Sequence, residues 1–143
     1  MAKIDACIYG RKIKRVFESR LKEVRERFDI KMIDVEILLY FFENKGKSAS
    51  DLHRELGLNK GQVSTAIDSL CKQNMLVEYE NPEDRRYLKY ELTDDGKQVV
   101  ATIQTEICDV YKIITNGLNQ EEQQTFFHIG KTICQNIDKN FND

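Results

Sequence analysis

Residues Ser48 to Thr93 constrain the fold more than any other part of this 143-residue chain. Two short helical patterns come first, and Gly57-Leu58-Asn59 separates them. Ser48 and Asp51 have the spacing of a capping box at the start of the first pattern, and Gly57 suits the left-handed position that closes a helix. Two helices joined by a short turn that contains glycine form a helix-turn-helix.

The apolar residues of both patterns recur at helical spacing, so each helix is expected to bury one face. Those of the first helix are Ala49, Leu52 and Leu56, and those of the second are Val63, Ala66, Ile67 and Leu70. Asn59 and Gln62 are spaced as the cap and the return partner of the second helix. Its outer face is predicted to carry Lys60, Gly61, Gln62, Ser64, Thr65, Asp68 and Ser69. In a helix-turn-helix that binds DNA, this second helix enters the major groove.

The next two runs, residues 76–80 and 87–92, alternate in polarity with the period of two that is typical of half-buried strands. The segment between them begins with Asn81-Pro82, which favours a turn, and carries Arg85 and Arg86 side by side. A hairpin that follows a helix-turn-helix makes a winged helix, and the hairpin is its wing. The sequence therefore predicts a winged helix over residues 34–93.

Four short motifs, in this order, resemble the MarR (multiple antibiotic resistance regulator) family of bacterial transcription factors. They are Leu56-Gly57-Leu58, Val63-Ser64, Asp84-Arg85-Arg86 and Leu92-Thr93-Asp94-Asp95-Gly96. Chain length and helix order extend the resemblance along nearly the whole sequence. The resemblance implies a transcriptional repressor that binds DNA as a two-fold homodimer and is released by a small-molecule effector. In relatives that effector is often an aromatic acid, bound between the helical bundle and the winged helix.

The resemblance also implies roles for individual side chains. In the family's D-x-R pattern Asp84 braces the wing and Arg86 reaches the minor groove, whose negative potential attracts a guanidinium. In the second helix Gln62 has the groups to bind an adenine edge, and Lys60 those to bind guanine or a phosphate. The predicted DNA-binding residues are Lys60, Gly61, Gln62, Ser64, Thr65, Arg85, Arg86 and Lys89. Because Thr65 stands where many relatives carry arginine, the family's usual base readout is not expected to apply unchanged.

Apolar residues at helical spacing also predict long helices on both sides of the helix-turn-helix. The first extends over residues 4–28, and the last two follow Thr93 and Asn119 as capping residues. Residues 35–43 are apolar nearly all round and are expected to form the central core helix. The predicted fold is mainly α (α+β), a single domain of residues 1–143 in which residues 1–30 and 96–143 form a helical dimerisation part.

The last predicted helix carries an apolar stripe that reaches almost to the C-terminus. So much apolar surface on a terminal helix requires a partner, and we expect a second copy of the chain. The predicted dimer interface consists of Ile4, Ile8, Phe126, Ile129, Ile133, Ile137 and Phe141. The alternative is that the first and last helices pair within one chain, but the resemblance favours the dimer.

The formal net charge of −2 is not the basic balance that is typical of an isolated DNA-binding domain. The charges are unevenly distributed, since residues 11–31 hold nine basic and four acidic side chains, whereas residues 94–143 hold four and eight. DNA binding therefore depends on where Lys60, Arg85 and Arg86 are placed. The competing interpretation is a winged helix that contacts another protein and does not bind DNA.

No group of residues has the spacing of a catalytic centre, a metal site or a phosphate-binding loop. We therefore expect no enzyme activity, no cofactor and no metal. His53 is expected on the outer side of the first motif helix, solvated or facing a phosphate, and His128 at a bundle edge. No apolar run is long enough to span a membrane, so a cytoplasmic protein is expected.

The four cysteines are scattered, as in a reduced cytoplasmic protein. Cys7, close to Tyr9, resembles the sensing cysteine in the peroxide-responsive branch of the family, so redox sensing is an alternative function. The other interpretation of Cys7 is a small apolar core residue, which a free cysteine usually is.

Overall fold

The computed structural model describes the backbone of residues 4–141 and the side chains of residues 7–141. Within this range the chain forms six α-helices and one three-stranded antiparallel sheet. The helices are α1 (Ile4–Phe28), α2 (Met32–Glu43), α3 (Ala49–Leu56), α4 (Lys60–Lys72), α5 (Asp94–Ile114) and α6 (Gln120–Phe141), and the strands are β1 (Lys47–Ser48), β2 (Leu76–Glu80) and β3 (Leu88–Leu92). This architecture confirms the predicted mainly helical winged-helix fold. None of the helices described is both long and apolar enough to cross a membrane.

Helix α2 is the central core helix, as its nearly continuous apolar sequence predicts. It packs against α4, α5 and β3, and Val35, Leu38 and Phe41 are at most 2% exposed. Burying each such side chain stabilises the fold by about 1.5–3 kcal/mol. Phe42 is 44% exposed, however, so the helix is not buried on every side.

Both helices of the helix-turn-helix begin where their capping residues predict, and α3 also ends at the predicted Gly57. The Ser48 hydroxyl accepts a hydrogen bond from the Asp51 amide at 3.1 Å, and the Asp51 carboxylate accepts one from the Ser48 amide at 2.9 Å. Gly57 adopts the left-handed conformation, with φ of 64°. Leu52 is fully buried, but the expectation that Leu56 shares this inner face is wrong, because it is 38% exposed. Leu56 is the last residue of α3, and Leu58 in the following turn is the residue that packs against the core instead.

The sheet contains one strand that the sequence pattern does not reveal. The short strand β1 pairs with β3, so that Lys47 lies opposite Tyr90. Strands β2 and β3 form the wing, with Leu76 opposite Leu92 at its base. Tyr90 and Leu76 are buried there, and burial decreases towards the tip, where Leu88 is 41% exposed. The wing is therefore anchored at its base and projects from the body.

Helix α6 is folded but has no buried residue. Its start is a complete capping box, in which the Asn119 side chain accepts from the Glu122 amide at 2.9 Å and the Glu122 carboxylate accepts from the Asn119 amide at 2.8 Å. The rings of Phe127 and Tyr111 meet edge to face at 5.3 Å, and the Tyr111 ring meets that of Phe17 at 5.9 Å. These ring contacts connect α6 to α5 and α1, while most of the α6 surface faces solvent.

Candidate DNA-binding surface

The N-terminus of α4 is held by the side chain of the residue before it. The Asn59 Oδ1 atom accepts hydrogen bonds from the Gly61 and Gln62 amides, at 2.8 and 3.3 Å. The predicted return bond from Gln62 is absent from the described part of the chain. The Gln62 amide group is exposed and therefore remains available to a partner outside the chain.

The two faces of α4 differ as the sequence predicts. The inner residues Val63, Ala66, Ile67 and Leu70 are at most 5% exposed. The outer residues Lys60, Gly61, Gln62, Ser64, Thr65, Asp68 and Ser69 are all exposed. The Thr65 hydroxyl donates to the Gly61 carbonyl at 2.9 Å, so its proton is used within the helix. The outer face thus presents a polar helix surface of the kind that a major groove accommodates.

At the wing tip, Arg86 is held by Asp84 through two parallel side-chain hydrogen bonds. The Arg86 Nε and Nη2 atoms donate to the two carboxylate oxygens of Asp84, at 3.0 and 2.9 Å. The Arg86 side-chain hydrogen bond also holds the pKa of the Asp84 carboxyl below its ordinary value. Such a bidentate pair fixes the direction of the guanidinium as well as its position.

The Arg86 guanidinium can still donate hydrogen bonds to a partner outside the chain. Two of its five N–H groups are used by Asp84, which leaves three for another acceptor. The Arg86 side chain is 84% exposed, so these groups face solvent. An exposed arginine that is already oriented loses less conformational freedom on binding an anionic partner than a free one.

The turn that carries this pair is closed by further hydrogen bonds. The Asn81 side chain accepts from the Glu83 amide at 3.1 Å, and the Tyr87 amide donates to the Asp84 carbonyl at 3.2 Å. The Tyr87 ring is 52% exposed and lies 6.0 Å from the Arg86 guanidinium carbon. Sequence reasoning did not select Tyr87, although an aromatic residue beside two arginines is the kind of signal that would identify it.

The basic side chains of this surface are largely uncompensated. Among the described residues, Lys60, Arg85 and Lys89 take part in no ion pair. Glu55 on α3 forms an ion pair with the Lys47 ammonium at 3.3 Å. The second Glu55 oxygen accepts from the Tyr40 hydroxyl at 2.9 Å. Because each ion pair removes one charge of each sign, the charge balance of residues 45–93 stays even. Attraction of a polyanion therefore depends on where Lys60, Arg85 and Lys89 lie.

The expectation that His53 is solvated is wrong, whereas a phosphate contact through its other ring nitrogen stays a prediction. Its Nδ1 atom forms a hydrogen bond with the Leu58 carbonyl, and its side chain is half-buried. The carbonyl accepts, so Nδ1 carries the proton. His53 thus connects α3 to the turn before α4 and supports the geometry of the helix-turn-helix.

The predicted dimer residues on α6 are all exposed in the single chain. The exposed fractions of Phe126, Ile129, Ile133, Ile137 and Phe141 range from 39% to 80%. Ile8 on α1 is half-buried, and the side chain of Ile4 lies outside the described residues. Cys7, near the start of α1, is a free and exposed cysteine, so in the isolated chain it is not a core residue.

Comparisons with known proteins agree with this geometry. Residues 30–96 match the sequence family of the winged helix DNA-binding domain. An uncharacterized HTH-type transcriptional regulator, YhbI of Bacillus subtilis (strain 168), is 28% identical over 80 residues, which are 56% of this chain. The chain thus spans about half of that relative, since the match covers 52% of it.

Solved structures share the fold at low sequence identity. The crystal structure of a MepR mutant from a multidrug resistant S. aureus clinical isolate is 18% identical, with a TM-score of 0.80 over 92% of this chain and 96% of that one. The transcriptional repressor CouR, solved bound to a 23-mer DNA duplex, is 22% identical, with a TM-score of 0.73 over 89% of both chains. At sequence identities of 18% and 22%, this likeness shows a shared fold and nothing more.

Proposed function

We infer that this chain, which contains a winged helix DNA-binding domain and has the fold of the MarR-family regulators, is a transcriptional regulator that binds duplex DNA as a homodimer. The Asp84–Arg86 pair is the observation that carries this inference. An arginine that is held by two hydrogen bonds and yet is 84% exposed is prepared for an external anion. A wing tip that only faced solvent would not need its arginine side chain to be held in one direction.

We assign α4 to the major groove and the wing to the adjacent minor groove. Gln62, near the helix N-terminus, has the amide donor and acceptor that match the adenine edge. Arg86 supplies charge to a narrow minor groove without reading much sequence. Lys60, Arg85 and Lys89 supply phosphate contacts, which position the protein and add salt-dependent affinity.

The dimer is proposed from the exposed apolar stripe of α6. Helix α6 touches its own chain through Phe127, yet none of its 22 residues is buried, and an apolar stripe left exposed in this way is expected to be covered by another surface. Pairing of α1 with α6 inside one chain would bury this stripe, and the observed exposure of Ile129 and Ile133 argues against that alternative. A two-fold contact between copies covers the stripe on both chains at once.

Two-fold symmetry predicts the form of the bound site. It directs the two α4 helices into successive major grooves on one side of the duplex, about one helical turn apart. The operator is then an inverted repeat with half-site centres about 10 base pairs apart. Selection of bound sequences from random duplex DNA tests this proposal. Enrichment of an inverted repeat is expected, and enrichment of sites without dyad symmetry, or no enrichment, contradicts it.

We further propose that the protein is a repressor and that a small molecule releases it from DNA. The support is the resemblance of its motifs to the MarR family and the structural likeness to CouR, which is described as a transcriptional repressor. Addition of an effector should lower DNA affinity by binding the DNA-free conformation better. An alternative trigger is oxidation of Cys7, which is exposed and free. A Cys7→Ser variant that keeps its response to peroxide would exclude this alternative.

A further inference from the structure

Thr65 lies in the middle of the exposed face of α4. It follows Val63 by two positions and precedes Ile67 by two, and both of these residues are at most 2% exposed. Two positions correspond to a rotation of about 200° around a helix axis, so Thr65 points almost directly away from the core. One turn before it on the same face is Gly61, which has no side chain. The Thr65 side chain is therefore not covered from the N-terminal side of this face.

The groups that Thr65 presents are limited by its own hydrogen bond. Its hydroxyl donates to the Gly61 carbonyl at 2.9 Å. A threonine hydroxyl has one proton and two lone pairs, so the oxygen can only accept a hydrogen bond from a partner. The same bond fixes the rotation about the Cα–Cβ bond and with it the direction of the methyl group. The exposed Thr65 thus presents a methyl group in a fixed direction and an oxygen that accepts.

These two groups match one kind of base pair in the major groove. Guanine presents only the acceptors N7 and O6 there, and the Thr65 oxygen has no proton to give them. Cytosine presents an amino donor but no methyl group. An A·T pair presents the C5-methyl group of thymine and the amino donor of adenine. It therefore offers an apolar contact for the Thr65 methyl group as well as a donor for the Thr65 oxygen.

The neighbours of Thr65 on α4 place this contact within a short sequence. Gln62 precedes Thr65 by three positions, which is about 4.5 Å along the helix axis and close to the spacing of about 3.4 Å between successive base pairs. Asp68 follows by three positions, is exposed and forms no ion pair with the described residues. Its carboxylate accepts hydrogen bonds and donates none, so Asp68 supplies no donor to guanine either.

We propose that Thr65 determines the base preference of α4 by selecting an A·T pair next to the adenine assigned to Gln62. The Thr65 methyl group packs against the C5-methyl group of the thymine, and a G·C pair is disfavoured because it lacks this methyl group. Each half-site then contains two consecutive A·T pairs. This inference rests on the proposed function, which brings α4 into the major groove.

Two parallel selections from random duplex DNA locate the base pair that Thr65 reads. One uses the wild-type chain and the other Thr65→Arg, because an arginine side chain has two donors that match O6 and N7 of guanine. The selected half-sites should differ at one position, where wild type enriches an A·T pair and the variant prefers a G·C pair by about tenfold. Identical selections, or a G·C pair in the wild-type site at the position that differs, would overturn the proposal.

Removal of the methyl group from the DNA tests the contact itself. Uracil differs from thymine only in lacking the C5-methyl group, and it replaces the thymine in one half-site of the selected duplex. The dissociation constant of the wild-type chain, measured by fluorescence anisotropy, should rise about fourfold, as expected for one buried methyl group. Thr65→Ser keeps the hydroxyl but lacks the methyl group, so it should bind both duplexes equally. Equal binding by wild type, or a fourfold difference that persists in Thr65→Ser, would contradict the methyl contact.

Thr105→Ser is the matched control. Thr105 is exposed on α5, and its hydroxyl donates to the Ala101 carbonyl at 3.1 Å, four positions back as in Thr65. This variant should distinguish thymine from uracil as wild type does, and loss of the difference here would contradict the assignment to Thr65. If neither selection enriches any sequence, the proposed function fails. If the selected site is an inverted repeat that Thr65→Arg leaves unchanged, the proposed function stands and only the role of Thr65 is wrong.

Discussion

A Cβ atom added to Gly96 would lie 2.1 Å from the carbonyl oxygen of Met75. The same carbonyl accepts a hydrogen bond from the Thr93 amide at 3.1 Å, and the Thr93 hydroxyl donates to the Asn74 carbonyl at 2.6 Å. The start of α5 therefore packs directly on the backbone that leads into the wing. This contact gives a physical reason for the Thr93-to-Gly96 part of the Leu-Thr-x-x-Gly motif.

Gly96→Ala should destabilise the protein because the new methyl group meets backbone rather than a flexible side chain. Overpacking of this kind costs about 1–3 kcal/mol. The matched control is Gly10→Ala in α1, where nothing lies within 4 Å of the added atom. It should be neutral or stabilising by about 0.5–1 kcal/mol, because glycine is unfavourable inside a helix. Urea unfolding measures both, and equal stabilities of the two variants would refute the explanation.

Asp51→Asn should destabilise the protein at neutral pH by about 1 kcal/mol, through loss of the capping box. The backbone hydrogen bond from Ser48 is the main reason that the pKa of Asp51 lies below its ordinary value of 3.8. The stability that Asp51 contributes is therefore present above pH 3.8 and is lost as the pH falls through the lower folded-state value.

Unfolding free energies at neutral and acidic pH check this dependence. The gap between wild type and Asp51→Asn should persist down to about pH 4 and close only below it. Asp109→Asn, at an exposed pair with Lys112, is the control and should change stability little at any pH. A gap that stays constant into acid would mean that the charge of Asp51 does not contribute.

The fold was predictable where short-range rules decide the outcome. Ser48, Asn59 and Thr93 cap helices where the sequence places them, because capping depends on residues only two or three positions apart. Strand β1 was missed because a two-residue strand has no periodicity, and its pairing with β3 joins residues far apart in sequence. The exposure of Leu56 depends on where the core ends, which helical spacing alone does not determine.

In the candidate DNA-binding surface, too, some features were predictable from the sequence and others were not. The outer face of α4 was predicted from the helical spacing of its apolar residues. The residues at the wing tip were predicted from the motif Asp84-Arg85-Arg86. The bond from His53 to Leu58 was not predicted, because it depends on how α3 and the turn before α4 meet in space. Tertiary packing therefore decides which polar residues support the fold and which face a ligand.

Arg86→Ala should weaken binding to specific and nonspecific duplexes alike, by about 1–3 kcal/mol per half-site. Gln62→Ala should instead reduce the preference for the specific duplex, because its amide is assigned to a base edge. Asp84→Asn tests the orientation of Arg86 and should give a smaller loss than Arg86→Ala. Lys112→Ala on α5 removes a charge elsewhere and is the control. Fluorescence anisotropy with two duplexes measures all four, and an unchanged isotherm for Arg86→Ala would show that the wing role is wrong.

DNA affinity should depend strongly on salt concentration. Lys60, Arg85, Arg86 and Lys89, doubled by two-fold symmetry, provide the charge, and about six neutralised phosphates give a log–log slope of about −5. Titration of a duplex over a range of sodium chloride concentrations measures the slope. Arg85→Ala should make it less negative by about one or two, according to whether one or both copies contact phosphate. A slope near zero would contradict a phosphate-dominated interface.

Ile133→Glu should dissociate the dimer and lower operator affinity together. Ile133 lies on the exposed apolar stripe of α6 and is 52% exposed, so a second copy that covers it would have to bury the new carboxylate without a partner. A monomer presents one α4 helix and one wing, and it loses the avidity that two linked half-sites provide. Gln135→Glu adds the same charge on the same helix but outside the stripe, and it should remain dimeric with unchanged affinity. Sedimentation measures the oligomeric state, and anisotropy on an inverted repeat measures binding. A monomeric Ile133→Glu chain with full operator affinity would break the proposed coupling, and a variant that stays dimeric would place the interface elsewhere.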